Sequence, residues 1–294
     1  LNWTLPKNRE PRGNPMVAAI LTWLLPGAGH IYLGLPVVGL LGFLVVQGVY
    51  FLGLQLSGGM LFEYLEPDLR GPGSSLLSPE IGNLGALIYH IKQYGYGPGW
   101  PRPWPPMMEL GAWLTAASGM LNICLMVRAH GDARSPKEGS SELPGLARLV
   151  LLAWALPGLG HWLQGRKARA LVWFGLLVGM LVLGSALAEG SNLSRERHFF
   201  YWAGQFLSGL PNLGLQLVFG SARVTAEQAY ADAGLDLGCL AGLLNVLAMI
   251  DVYTHGETRA LERDSAAATG NAGAAGNAAS ASSAGATHSS SGGA

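Results

Sequence analysis

Two histidines, His30 and His161, close the same short phrase, Pro-Gly-x-Gly-His, in otherwise apolar surroundings. Imidazoles so placed could line a cavity, relay protons or ligate haem, and two copies could share one site. Proline removes a backbone donor and glycine tolerates unusual dihedrals, so a helix carrying both can open locally. Carbonyls freed in this way are allowed at membrane depth only where protein buries them or water reaches them. The structural alternative is a tight helical hairpin, built on Pro26, Gly27 and Gly29 and again on Pro157, Gly158 and Gly160, whose His caps a freed carbonyl or sits at the headgroups. Two imidazoles alone lack the third and fourth ligands of a zinc site. Asn122 and Asn245 form a second pair, each in a Gly-x-x-Asn run, where an amide either glues helices together or coordinates an ion or substrate. Gln205, Asn212 and Gln216 stand seven and four apart and would share one helix face if Pro211 leaves the helix intact.

The elements that must position these residues are duplicated. At an offset of 131, Trp23, Leu25, Pro26, Gly27, Gly29, His30 and Gly34 match Trp154, Leu156, Pro157, Gly158, Gly160, His161 and Gly165, and Gly53 matches Gly184. At an offset of 123, Gly119-Met-Leu-Asn122 answers Gly242-Leu-Leu-Asn245, and Arg128 answers Asp251. The expected organisation is an N-terminal segment 1–14, a first repeat 15–131, a linker 132–142, a second repeat 143–257 and a disordered Ala/Gly/Ser-rich tail 258–294.

Composition says what solvent the repeats meet. Charged residues make up 12% of the 294-residue chain, 18 of each sign, against about a quarter in a soluble domain. That argues against a soluble fold and, without an excess of Lys and Arg, against nucleic-acid binding. No Asp, Glu, Lys or Arg lies between Arg12 and Glu63, and further charge-free windows cover 110–127, 149–165, 170–188, 199–222 and 237–250. An all-α integral membrane protein is expected, with spans near 16–34, 37–57, 108–128, 146–165, 168–187 and 235–253. The first of these reads as a retained signal-anchor.

Three spans per repeat would set the second copy upside down, giving an inverted-topology repeat. Residues 199–222 are the weak joint. Pro211 and four glycines suggest a broken, re-entrant or interfacial segment, whereas a full crossing would make seven spans. Six spans put 11 Lys and Arg on the N-terminal side and seven opposite, which favours cytoplasmic termini. Trp100 and Trp104, among closely spaced prolines, fit an interfacial anchor. Cys124 and Cys239 both fall inside spans, which argues against a disulfide framework or a Cys-based metal site.

The Leu-Pro-Gly-x-Gly-His-x-Tyr-x-Gly run of 25–34 resembles the hairpin of the two-transmembrane-helix domain family, although Leu163 stands where Tyr32 does. With Gln-Phe-x-x-Gly-Leu-Pro at 205–211 and Ala-Gly-Leu-Leu-Asn at 241–245, the chain resembles an uncharacterised bacterial multi-span membrane-protein family of unknown function. The resemblance implies a fold and no mechanism. No nucleophile elbow, Walker loop, His-Glu-x-x-His or dinucleotide fingerprint is present, so no catalytic residue, metal or cofactor is expected. The leading expectation is a non-enzymatic inner-membrane scaffold or accessory subunit, partnered by the bilayer and by a membrane protein or a second copy. Its rivals are an inverted-repeat transporter or channel, with His30, His161, Asn122 and Asn245 around one cavity, and a haem-binding membrane protein.

Overall fold

The computed structural model describes residues 11–63, 65–97, 103, 105–135, 141–219 and 228–287, with side chains to Ala266. Among them all regular structure is helical. Helix α1 (Pro15–Leu24) starts on Asn14, whose side chain accepts from the Met16 and Val17 amides, with Pro15 pre-set for the first turn. It stops after ten residues because Leu25, which precedes Pro26, is extended at φ −144°. Gly27 then takes φ +81°, and a Cβ on it would lie 2.0 Å from the Gly39 carbonyl oxygen. Helix α2 (Ala28–Tyr32) turns back beside α1, with the Gly29 amide donating to Thr22 Oγ1 at 3.2 Å. The Asn14 amide and the Tyr32 hydroxyl close the hairpin at its base.

Helix α3 (Pro36–Leu56), 21 residues, is the first long helix of the chain. After it come α4 (Pro72–Leu77), a 3-10 segment (Pro79–Asn83) and α5 (Leu84–Tyr94), and then the long α6 (Met108–Arg134). Gly42 packs on Leu125 and Gly53 on the Gly111 and Thr115 backbones, so α3 and α6 are antiparallel.

The second half repeats the first. Helix α7 (Leu146–Ala155) stops at Leu156, extended at φ −141° before Pro157, and Gly158 takes φ +86°. Helices α8 (Leu159–Leu163) and α9 (Lys167–Leu187) follow, then α10 (Phe199–Phe206), α11 (Leu210–Phe219) and α12 (Ala231–Thr287). Gly184 packs on Gly234 and Gly238 as Gly53 does on Gly111 and Thr115, so α9 and α12 are also antiparallel.

Among the described residues four helices are long and apolar enough to cross a membrane: α3, α6, α9 and the 231–266 stretch of α12. Six spans were expected. The two at 16–34 and 146–165 are each broken by the Leu-Pro-Gly step into a ten-residue and a five-residue helix that double back. The 199–222 stretch is broken as well, at Gly209 with φ +72°, into α10 and α11. Two long helices per half remove the odd count that an inverted repeat needs. The halves also run the same way. Arg134, at the end of α6, pairs with Glu257 of α12 at what we term the near end. Toward the other, far end, Ala112 of α6 accepts from Arg195, whose loop continues into α10, where Gly204 packs on Cys239 of α12.

Helix α6 is the central pillar: 61% of its apolar window is buried, against 28% for α3 and for α9. The two outer helices expose Val37, Leu40, Leu41, Leu44, Leu171, Val172 and Leu183 in continuous apolar faces. Between the halves lies an aromatic core in which Trp113 stacks on Trp154 at 5.8 Å and both meet Phe206. The low-complexity sequence from Ser265 continues α12 as helical backbone to Thr287. Trp100 and Trp104 lie outside the described residues.

Candidate functional site: a buried polar core at half depth

Each half brings two broken segments together at mid-length of the bundle. The α1–α2 turn enters from the near end and meets the Pro79–Leu84 segment entering from the far end. The Trp23 indole N–H donates to the Ile81 carbonyl at 2.7 Å. In the second half the α7–α8 turn meets the α10–α11 turn, and the Trp154 indole donates to the Phe206 carbonyl at 3.3 Å. Gly209 lies so close to the Trp154 carbonyl that a Cβ would stand 2.0 Å from its oxygen.

The two asparagines serve these junctions. Asn122 Nδ2 donates to the Thr22 carbonyl at 3.0 Å and to the Gly82 carbonyl at 2.9 Å, bridging both broken segments of the first half. Asn245 Nδ2 does the same in the second half, toward Ala153 at 3.4 Å and Leu207 at 2.8 Å. Both side chains are completely buried. Gly119 and Gly242, three residues earlier on each long helix, let the segments approach: a Cβ there would lie 2.1 Å from the Pro79 oxygen and 1.8 Å from the Gly204 oxygen.

The two histidines occupy equivalent places at the near end, each buried and each facing a carboxylate of its own half. His30 Nε2 stands 3.4 Å from Asp132 Oδ2, and His161 Nε2 stands 2.9 Å from Asp251 Oδ2. The carboxylates are not equivalent by sequence: the partner of Asp251 at offset 123 is Arg128, which itself lies 3.6 Å from Asp132. Acid and base have exchanged places while each His kept an acidic neighbour. Each of the four candidates thus has its neighbours within its own half, and the arrangement does not gather them around one cavity.

The halves are also joined by a buried charge pair that sequence reasoning passed over. Glu80, in the Pro79–Asn83 segment, accepts from Arg195 Nη1 at 2.9 Å and from Thr115 Oγ1 at 2.8 Å. Arg195 also donates to the Ala112 carbonyl at 3.0 Å, and its guanidinium lies 4.7 Å from the Trp202 ring centroid. The acid and the base are 1% and 2% exposed. Glu80 stands just after Pro79, which packs on Gly119, and its counterpart after Gly204, which packs on Gly242, is Gln205. Gln205 accepts from Asn192 Nδ2 at 2.8 Å, so a neutral amide pair fills in the second half the place a charged pair takes in the first.

Gln205, Asn212 and Gln216 do not share one helix face, because the Gly209 break separates the first from the other two. All three are nonetheless buried, and Gln216 donates to Glu109 at 2.7 Å. Beside this core His198, before α10, is held below the ordinary histidine range by burial first and then by Arg197. The signal for the pair in the sequence is Glu80 itself, a lone carboxylate in a largely apolar stretch. Among the described residues no three His, Cys, Asp or Glu side chains converge on a common point.

Arranged this way, the polar groups can hold broken helices together and lock two halves. The model of a family of unknown function, DUF6677, matches the chain twice, over residues 17–141 and 148–265. No curated protein and no solved structure matches it.

Proposed function

The chain belongs to that family of unknown function, and on that premise we propose that it is a multi-pass protein of the bacterial inner membrane, working as a non-enzymatic scaffold or accessory subunit of a membrane assembly. One observation carries the reading. The carbonyls opened at mid-length, which a transport site would need, accept instead from Trp23, Trp154, Asn122 and Asn245. The centre between the halves is packed with Trp113, Trp154, Trp202 and Phe206.

In this proposal α3, α6, α9 and α12 cross the bilayer, and the broken segments enter from either face and return. The two matched stretches are tandem copies of one unit, set in the same direction. Among the described residues nine Lys and Arg lie toward the near end and four toward the far end, a stronger bias than the eight to five that six spans give for the same residues. The near end is therefore cytoplasmic and carries both termini. The apolar faces of α3 and α9 meet lipid, or a membrane-protein partner that could be a second copy.

Affinity purification of the full chain from native membranes tests the scaffold reading, with a stable stoichiometric partner as the expected result. Solute movement across liposomes by the purified protein alone would overturn it. A second reading, a small transporter, draws its support from the Glu80–Arg195 pair, since buried charges in membrane proteins often mark pathways. Flux abolished by Glu80→Gln would favour that reading. Each histidine faces its own carboxylate in its own half, so a shared haem gains no support.

A further inference from the structure

The near end of the second half carries a basic cleft that the first half lacks. Arg166, Lys167 and Arg169 at the start of α9 face His255 and Arg259 of α12 across a concavity of about 550 Å³. The matching positions of the first half are Leu35, Pro36, Val37 and Val38, and α3 starts on them without charge. The fold of the junction therefore does not require these cations.

The local acids leave most of that charge uncompensated. Asp251 takes Arg166 at 2.5 Å and reaches Arg169 at 3.3 Å while also holding His161. Glu257, the next acid along α12, is taken by Arg134. Arg169 remains 63% exposed. The first amides of the 21-residue α9 open at the same place and add partial positive charge.

The surroundings identify the kind of anion. Lys167 Nζ lies 5.5 Å from the ring centroid of Trp162, which is half-exposed beside exposed Leu163, Leu171 and Val172. A cationic rim directly above an aromatic ring and an apolar helix face matches a phosphate with acyl chains beneath it, whereas a free phosphate would have no use for the apolar part. We propose that this cleft binds the phosphate of an anionic phospholipid in the near-end leaflet. The inference rests on the membrane reading, and a chain that stayed soluble and folded without detergent would overturn that reading instead.

Native mass spectrometry of the detergent-purified full chain, offered phosphatidylglycerol or phosphatidylcholine, provides the test. The wild type should retain phosphatidylglycerol preferentially. Arg169→Ala with Arg259→Ala, leaving Arg166 to hold Asp251, should weaken that retention roughly ten- to thirtyfold. Arg169→Lys with Arg259→Lys should keep most of it, which separates lost charge from a lost fold, and Arg197→Ala at the far end should change nothing. Equal retention of the two lipids by the wild type, or unchanged retention by the double Ala variant, overturns the proposal. So does displacement of the lipid by inorganic phosphate at concentrations similar to the lipid's own, which would assign the cleft to free phosphate.

Discussion

Arg195 and Glu80 stand 115 positions apart in the chain and 2.9 Å apart in the fold, both almost wholly buried, one from each half. The carboxylate also accepts from Thr115, and the guanidinium also donates to a backbone carbonyl and lies over an aromatic face. Breaking one side of such a pair leaves the other charge buried and uncompensated, which costs about 3–5 kcal/mol.

Glu80→Leu or Arg195→Met should therefore each lower thermal stability in detergent steeply, while the double variant should recover much of the loss. A double-mutant cycle by thermal unfolding measures the coupling. Losses that simply add would mean that the two charges do not depend on each other, and the lock between the halves would be lost with them.

Asn122→Ala and Asn245→Ala each withdraw one amide from two buried carbonyls. The expected cost is about 1–3 kcal/mol apiece, similar in the two halves because the geometry is the same. Hydrogen exchange should then rise at Ile81–Asn83 in the first variant and at Phe206–Ser208 in the second. A variant as stable as wild type, with protection unchanged, would contradict the bridging role.

Glycine substitutions should divide by position. Gly119→Ala and Gly242→Ala place a Cβ against a carbonyl oxygen, at 2.1 and 1.8 Å, and the long helix must move away. Gly175→Ala and Gly179→Ala on the outer face of α9 meet nothing within 4 Å. They should be neutral or stabilising, by up to about 1 kcal/mol, since Ala favours the helix. Expression with thermal unfolding separates the two groups, and equal behaviour would remove the argument that Gly119 and Gly242 set the approach of the broken segments.

The repeated phrases were legible because they lie close along the chain: Pro26-Gly27 and Pro157-Gly158 do form matched turns, and Asn122 and Asn245 do make matched bonds. Span length was misread at the same place. Residues 16–34 carry no Asp, Glu, Lys or Arg, and composition cannot show that Leu25, forced into an extended conformation by Pro26, sends the chain back on itself. With that element halved, each half keeps two helices long and apolar enough to cross a membrane, and the two halves run in the same sense. Glu80 and Arg195 were illegible for another reason. Their pairing joins two halves across 115 residues, no local periodicity records it, and the internal match sets Gln205, not a charge, where Glu80 would recur.

The change of direction has a consequence for labelling that the termini cannot reveal, since four spans and six spans both leave the ends of the chain on one side. The loops differ. Four crossings place Glu66 opposite Asn14, and Ser141 on the same side as Asn14, whereas six place each the other way. In a background with Cys124→Ala and Cys239→Ala, single cysteines at positions 14, 66 and 141 can be treated in intact cells with a membrane-impermeant maleimide. Position 66 should label from outside, and positions 14 and 141 only after lysis. Labelling of 141 but not 66 from outside would restore the inverted arrangement and require the α1 and α7 hairpins to open into full crossings.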